Sequence, residues 1–156
     1  MSEKKIENEF KKYKRQYIAK LGNHSLYNTE IDEVCKAQFG LKYRGCHAQD
    51  AQIAYKPGYY VFNTDVSSQP GEHWLAGYAT KKTMYIFDTF ARDITKLVPI
   101  LAKRLRMAKL KIISSDRSDK EQRATNKGQM VVICGHSVIA WMVCAQKFGI
   151  RKSILI

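Results

Sequence analysis

The 156 residues carry 27 Lys plus Arg against 14 Asp plus Glu, a formal net charge of +13. Hydrophobic residues make up 45% and charged residues 26%, with three Pro, nine Gly and four Cys. This profile excludes a mainly disordered chain, and no window approaches the roughly 18 apolar residues of a membrane span. The expectation is one soluble domain over residues 1–156, without a signal peptide, not secreted and with no membrane partner. Cys35, Cys46, Cys134 and Cys144 are too few and too scattered for a disulfide framework, so reduced thiols are expected. The positive excess points to a polyanion such as nucleic acid, because each neutralised phosphate releases counterions.

In chain order, Ile6, Phe10, Tyr13, Tyr17 and Leu21 recur every three or four residues before Gly22, which predicts an amphipathic helix over about 3–21. Its other face is read as basic, with Lys11, Lys12, Lys14, Arg15 and Lys20 placed to lie along phosphates or simply in solvent. A second helix is predicted from Thr29, with Glu33 as acidic first-turn chemistry, to Phe39-Gly40. Residues 41–56 show no clear period. Tyr59 to Phe62 is rich in strand formers, and Asn63 to Gly71 in turn residues. His73 to Ala79 and Met84 to Phe87 flank Lys81-Lys82 and read as an antiparallel hairpin. Asp93 can cap a helix to about Met107, with Pro99 as a kink or restart. Leu110 to Ile113 reads as a strand. Cys134 to Phe148 reads as an apolar helix ended by Gly149. The order of elements predicts an α+β fold with a central, mostly antiparallel sheet flanked by helices.

Chemistry concentrates at three places. Cys134 opens the apolar helix, where unpaired amides and the positive end of the helix dipole favour a thiolate, and Gly135 beside it permits close approach of a substrate backbone. His73 is the candidate base. If the hairpin turns between Lys81 and Lys82, His73 faces Phe90 and has Asp88 as its diagonal neighbour on one face, where a carboxylate can orient an imidazole. A slip of one residue would separate them. Oxyanion donors would be a Gln129 or Gln122 side chain and the Cys134 amide. Cys35, Cys46 and His47 lack the spacing of a zinc site, and no metal is expected.

Pro70-Gly71-Glu72-His73-Trp74, the Phe87-Asp88 strand end and Cys134-Gly135 before an apolar helix, in the order His, Asp, Cys, resemble the adenovirus-type maturation cysteine proteases. These adenain-like enzymes share a clan with SUMO and other ubiquitin-like-protein proteases. Asn63 to Ser68 leading into this block is similar to versions encoded by virophages and large DNA transposons. The resemblance spans roughly Phe39 to Phe148.

It implies the adenain/ubiquitin-like-protease fold, with Cys134 as nucleophile at the start of a buried helix, His73 as general base and Asp88 as orienting acid. Trp74 would support the site, Gln129 would be the oxyanion-hole residue, and Gln122 is its alternative. The implied function is a viral endopeptidase that cleaves capsid or other virion precursors beside small residues during maturation. It would work in the virion and the host-cell interior, whether cytoplasm, viral factory or nucleus. No cofactor is needed for the chemistry; DNA and an activating peptide are the accessory factors the resemblance brings, and double-stranded DNA bound without sequence preference is the expected partner. Two other readings are a deubiquitinase-like or SUMO-protease-like enzyme acting on host conjugates, and a non-catalytic basic DNA-binding protein.

Overall fold

Alternation of apolar side chains gives the middle of the chain two faces to bury, and helices cover both of them in a computed structural model that describes residues 2–65, 73–115 and 133–156. The elements are α1 (Glu3–Leu21), α2 (Asn28–Phe39), a single 3-10 turn (Gly40–Lys42), β1 (Tyr43–Ala48), β2 (Gly58–Asn63), β3 (Trp74–Ala79), β4 (Thr83–Phe87), α3 (Ile94–Leu97), α4 (Pro99–Met107), β5 (Lys111–Ser114), α5 (Cys134–Phe148) and α6 (Ile150–Ser153). The class is α+β.

The five strands form one sheet in the order β1-β2-β3-β4-β5. The expectation of a mostly antiparallel sheet needs correction. The central pairs β2–β3 and β3–β4 are antiparallel, but the outer pairs β1–β2 and β4–β5 are parallel, so the sheet is mixed. Strand patterning does not report direction; the connection does. Here α3 and α4 carry the chain from β4 back to the start of β5, and residues 49–57 return it from β1 to β2.

One face packs Tyr59, Val61, Ala76 and Phe87 against α1, α2 and α5. Phe10 of α1 meets Phe87 edge-on at 5.7 Å, and Phe87 stacks on Trp141 of α5 at 5.4 Å, so one aromatic chain ties two helices to the sheet. The other face packs Tyr60, Phe62, Leu75, Met84 and Ile86 against Ile94 of α3, Val98 at the junction, and Leu101 and Leu105 of α4. Val138, Trp141, Met142 and Ala145 fall on one helical face in the sequence, but every residue from Cys134 to Ala145 is buried, so α5 is enclosed on all sides.

The predicted helix bounds hold for α1 and α5, and Asp93 caps α3 by accepting the Thr95 amide at 3.0 Å, with Pro99 opening α4. Three local expectations are corrected. Glu30, not Glu33, is the acid that closes the first turn of α2, accepting the Tyr27 amide at 3.0 Å. Lys14 is only 1% exposed, its ammonium 5.3 Å from the Phe10 ring, and so does not belong to a solvent-facing basic face of α1. Residues 43–48 are a strand. Gly45 with φ of 98° and a register shift between Tyr43 and Cys46 break the alternation that would have revealed it.

Among the described residues, no helix is long and apolar enough to cross a membrane, and no group of three or more His, Cys, Asp or Glu is placed to hold a metal ion.

Candidate active site

The β3–β4 hairpin has the register its turn implies: Ala79 pairs with Met84, Tyr78 with Tyr85, Gly77 with Ile86 and Ala76 with Phe87. His73 precedes β3 and Asp88 follows β4, so both emerge at the same end of the hairpin. The His73 carbonyl accepts the Thr64 amide at 3.0 Å, fastening this residue to the end of β2. From there His73 Nε2 lies 2.8 Å from Asp88 Oδ1, and the rings of His73 and Phe90 lie 5.5 Å apart. A carboxylate can only accept, so Nε2 carries the proton and donates it to Asp88.

With Nε2 committed, Nδ1 is the ring nitrogen left for a second partner. The Cys134 side chain neighbours the same ring and helps to raise its pKa. Cys134 is the first residue of α5, a helix that packs on the Ala76 and Phe87 face of the sheet. Thiol, imidazole and carboxylate are thus brought together from three separate segments. Its members are 3%, 6% and 1% exposed.

Burial alone would lower the His73 pKa. Hydrogen bonds to Asp88 and Cys134 outweigh it, and the imidazole titrates above its ordinary value. For Asp88, burial pushes the carboxyl up, but hydrogen bonds from His73 and Arg92 prevail and hold it well below the usual carboxylate range. The pair is therefore set up as an imidazole that gains a proton readily beside a carboxylate that keeps its charge.

The other three thiols have no such setting. Burial pushes Cys35, Cys46 and Cys144 up, Cys144 to about 12, which leaves them poor nucleophiles near neutral pH. None of the four cysteines forms a disulfide.

Two residues read from the sequence as binding residues have specific packing duties. An ideal Cβ on Gly135 would stand 3.1 Å from Leu26 Cβ and Cδ1, so the glycine lets the 22–27 segment press against the start of α5. Trp74 donates its indole N–H to the Leu26 carbonyl at 3.1 Å, gripping the same residue from β3. His136 Nε2 contacts the Gly22 carbonyl at 2.8 Å and completes this strap. Gln129 and Gln122, and Pro70 to Glu72 of the His-Trp motif, lie outside the described residues. The amides of the first turn of α5, Cys134 included, have no intrahelical carbonyl to donate to.

Sequence reasoning missed the supports around Asp88. Arg92 donates from Nε to Oδ2 at 2.8 Å, from Nη2 to Oδ1 at 3.1 Å and from its amide to Oδ2 at 3.0 Å. Ser115, just after β5, takes the Asp88 amide on Oγ at 3.2 Å. The signal for Arg92 was an opposite charge four positions after Asp88, a spacing that is informative only in a helix; here the chain makes a turn. For Ser115 no local signal exists, since β4–β5 pairing brings it in.

A scan of protein-family models finds no match to this chain, and a search of curated proteins finds none either.

Proposed function

We propose that the chain is a cysteine endopeptidase of the adenovirus maturation type, cleaving capsid or other virion precursor proteins inside the infected cell or the particle. The observation that carries this reading is the convergence of Cys134, His73 and Asp88, with the carboxylate 2.8 Å from His73 Nε2 and the thiol beside the same ring. The α+β architecture, with the thiol opening a buried helix that packs on the sheet, supports an adenain-like fold.

In the proposed reaction the Cys134 thiol passes its proton to His73 Nδ1, and the sulfur attacks the scissile carbonyl carbon. The negative charge that develops on the carbonyl oxygen is met by the Cys134 amide and, by resemblance, by a glutamine, Gln129 or Gln122. The tetrahedral species collapses as His73 delivers its proton to the departing amine, leaving an acyl thioester. Water, deprotonated by His73, then displaces the sulfur and releases the acid. Asp88 holds the imidazole in the required tautomer throughout, and no cofactor enters the chemistry.

The test is co-expression of the capsid precursor with the wild-type chain or with Cys134→Ala. Cleavage only by the wild type is expected; cleavage that persists with the variant would overturn the reading. Efficient labelling of Cys134 by ubiquitin-like C-terminal electrophiles would instead assign the same triad to host conjugates.

A polyanionic partner, double-stranded DNA, belongs to the proposal and has its own support. Lys81 and Lys82 are exposed at the β3–β4 turn, and the Lys111 amide donates to the Lys82 carbonyl at 2.8 Å, bringing Arg106, Lys109 and Lys111 to the same end of the sheet. No acidic residue occurs between Asp93 and Asp116. This basic end lies a strand's length, roughly 20 Å, from His73 and Asp88, so bound DNA leaves the triad accessible to a peptide.

A further inference from the structure

We propose that Arg92 is a positioning residue for the His73–Asp88 pair, holding the carboxylate in a two-pronged grip while its guanidinium lies on Phe90, the ring that faces the imidazole. The proposal rests on the cysteine-peptidase reading and extends it to a residue that touches neither the thiol nor a substrate.

A carboxylate offers about four acceptor positions. At Asp88 these are taken by His73 Nε2 and Arg92 Nη2 on Oδ1, and by Arg92 Nε and the Arg92 amide on Oδ2. All but the His73 bond come from one residue. With His73 as sole partner, the carboxylate would be free to turn about its Cβ–Cγ bond and carry the 2.8 Å bond out of line. The guanidinium fork removes that freedom. It also balances the buried negative charge, so His73 can pass between imidazole and imidazolium without being the only cation available to Asp88.

The local backbone is built for this return. The Ala91 amide donates to the Asp88 carbonyl at 2.9 Å, closing a turn in which Ala91 adopts φ of 50°, a left-handed conformation that is strained for a non-glycine residue. The turn folds Arg92 back over Asp88 and sets its guanidinium carbon 5.0 Å from the Phe90 centroid. Phe90 in turn lies 5.5 Å from the His73 ring. One arginine thus reaches both members of the pair, the carboxylate directly and the imidazole through an aromatic ring. Its side chain is 40% exposed, so its loss opens no cavity in the core.

Two readouts that need no substrate test this on the full chain: the rate of Cys134 alkylation by iodoacetamide at neutral pH, and the low-field proton resonance of His73 Nε2–H in 15N-histidine-labelled protein. In Arg92→Gln the alkylation rate is expected to fall about 10- to 100-fold, and the low-field resonance to be lost to solvent exchange. Arg92→Lys keeps the charge but not the fork and should fall between this variant and the wild type in both. Wild-type rate and resonance in Arg92→Gln would overturn the proposal, as would a lowered melting temperature with both readouts unchanged. If Arg92→Gln does not fold, Arg92→Lys decides: behaviour equal to wild type in both readouts refutes the two-pronged grip. Failure of the peptidase reading has a different signature, a wild-type chain that leaves capsid precursor intact while these two readouts still respond to Arg92.

Discussion

His73 and Asp88 are 15 positions apart in the chain and 2.8 Å apart in space, joined across the open end of the β3–β4 hairpin. Their meeting depends on the pairing of Ala76 with Phe87. A slip by one residue would turn one of the two to the other face. Replacing Asp88 by Asn keeps the size but offers an amide that can present a donor to the ring and favour the wrong tautomer. Turnover of a peptide substrate is expected to fall by about 10⁴-fold, the cost of the equivalent change in a serine-protease triad; a loss below tenfold would remove Asp88 from the mechanism.

The same pair should shape the stability profile. Asp88 titrates below its unfolded value, so its contribution is present above about pH 4 and lost as pH falls from there towards the depressed native value. His73 titrates above its unfolded value, so its contribution is complete below about pH 6.5 and lost as pH rises through the raised native value. Both are in place between about pH 4 and 6.5. Thermal melts of wild type minus His73→Gln should therefore show a difference that shrinks as pH rises above neutrality. A difference that grows with pH would contradict the assignment.

His136 should act in the opposite sense. It is fully buried, and burial lowers its pKa against the weaker effect of the Gly22 carbonyl contact. Its imidazole is neutral in the fold, so acid favours the unfolded chain, and this cost grows as pH falls below about 6.5. His136→Gln, which cannot titrate, should flatten the loss of melting temperature between about pH 6.5 and 5. An unchanged slope in that interval would show that His136 does not contribute to it.

The packing of Gly135 on Leu26 gives a test of its own. A methyl group on Gly135 meets the Leu26 side chain at 3.1 Å, and overpacking of this kind costs about 1–3 kcal/mol. Gly135→Ala should lose that amount by chemical denaturation, and combined with Leu26→Ala, which removes the Cγ and Cδ1 contacts but keeps Cβ, the loss should be smaller than the sum of the two single losses. Strict additivity of the two losses would mean that the residues do not press on each other.

At the basic end of the sheet, Lys82→Gln combined with Lys111→Gln should weaken binding to duplex DNA uniformly across sequences. The slope of log affinity against log salt should become shallower by about one for each phosphate that is no longer neutralised. Affinity that is insensitive to salt, or a double variant that binds as tightly as the wild type, would assign this cluster to solubility alone.

How much was legible depended on whether a signal was local. The α1 stripe Ile6, Phe10, Tyr13 was readable because one helix face meets one neighbour, and the hairpin register was readable because the strands alternate about a short turn at Lys81-Lys82. Strand β1 was not, since Gly45 and the slip beside it erase alternation on an edge strand. Lys14 carried the signal of a surface residue, yet its long apolar stem is buried on α1 with its ammonium near Phe10.

The chemical groups were already in place in the amino-acid order: a cysteine opening an apolar helix, a histidine and an aspartate at the two outer ends of a hairpin, and a strong positive excess. Each is a property of short segments, where periodicity and helix-end electrostatics act. Folding alone dictates that His73 Nε2 faces Asp88, that the outer strands run parallel, and that Arg92 and Ser115 converge on Asp88. Those relations depend on how β4 pairs with β5 and where α5 packs on the sheet. Packing between distant segments sets both, and no periodicity within a segment encodes it.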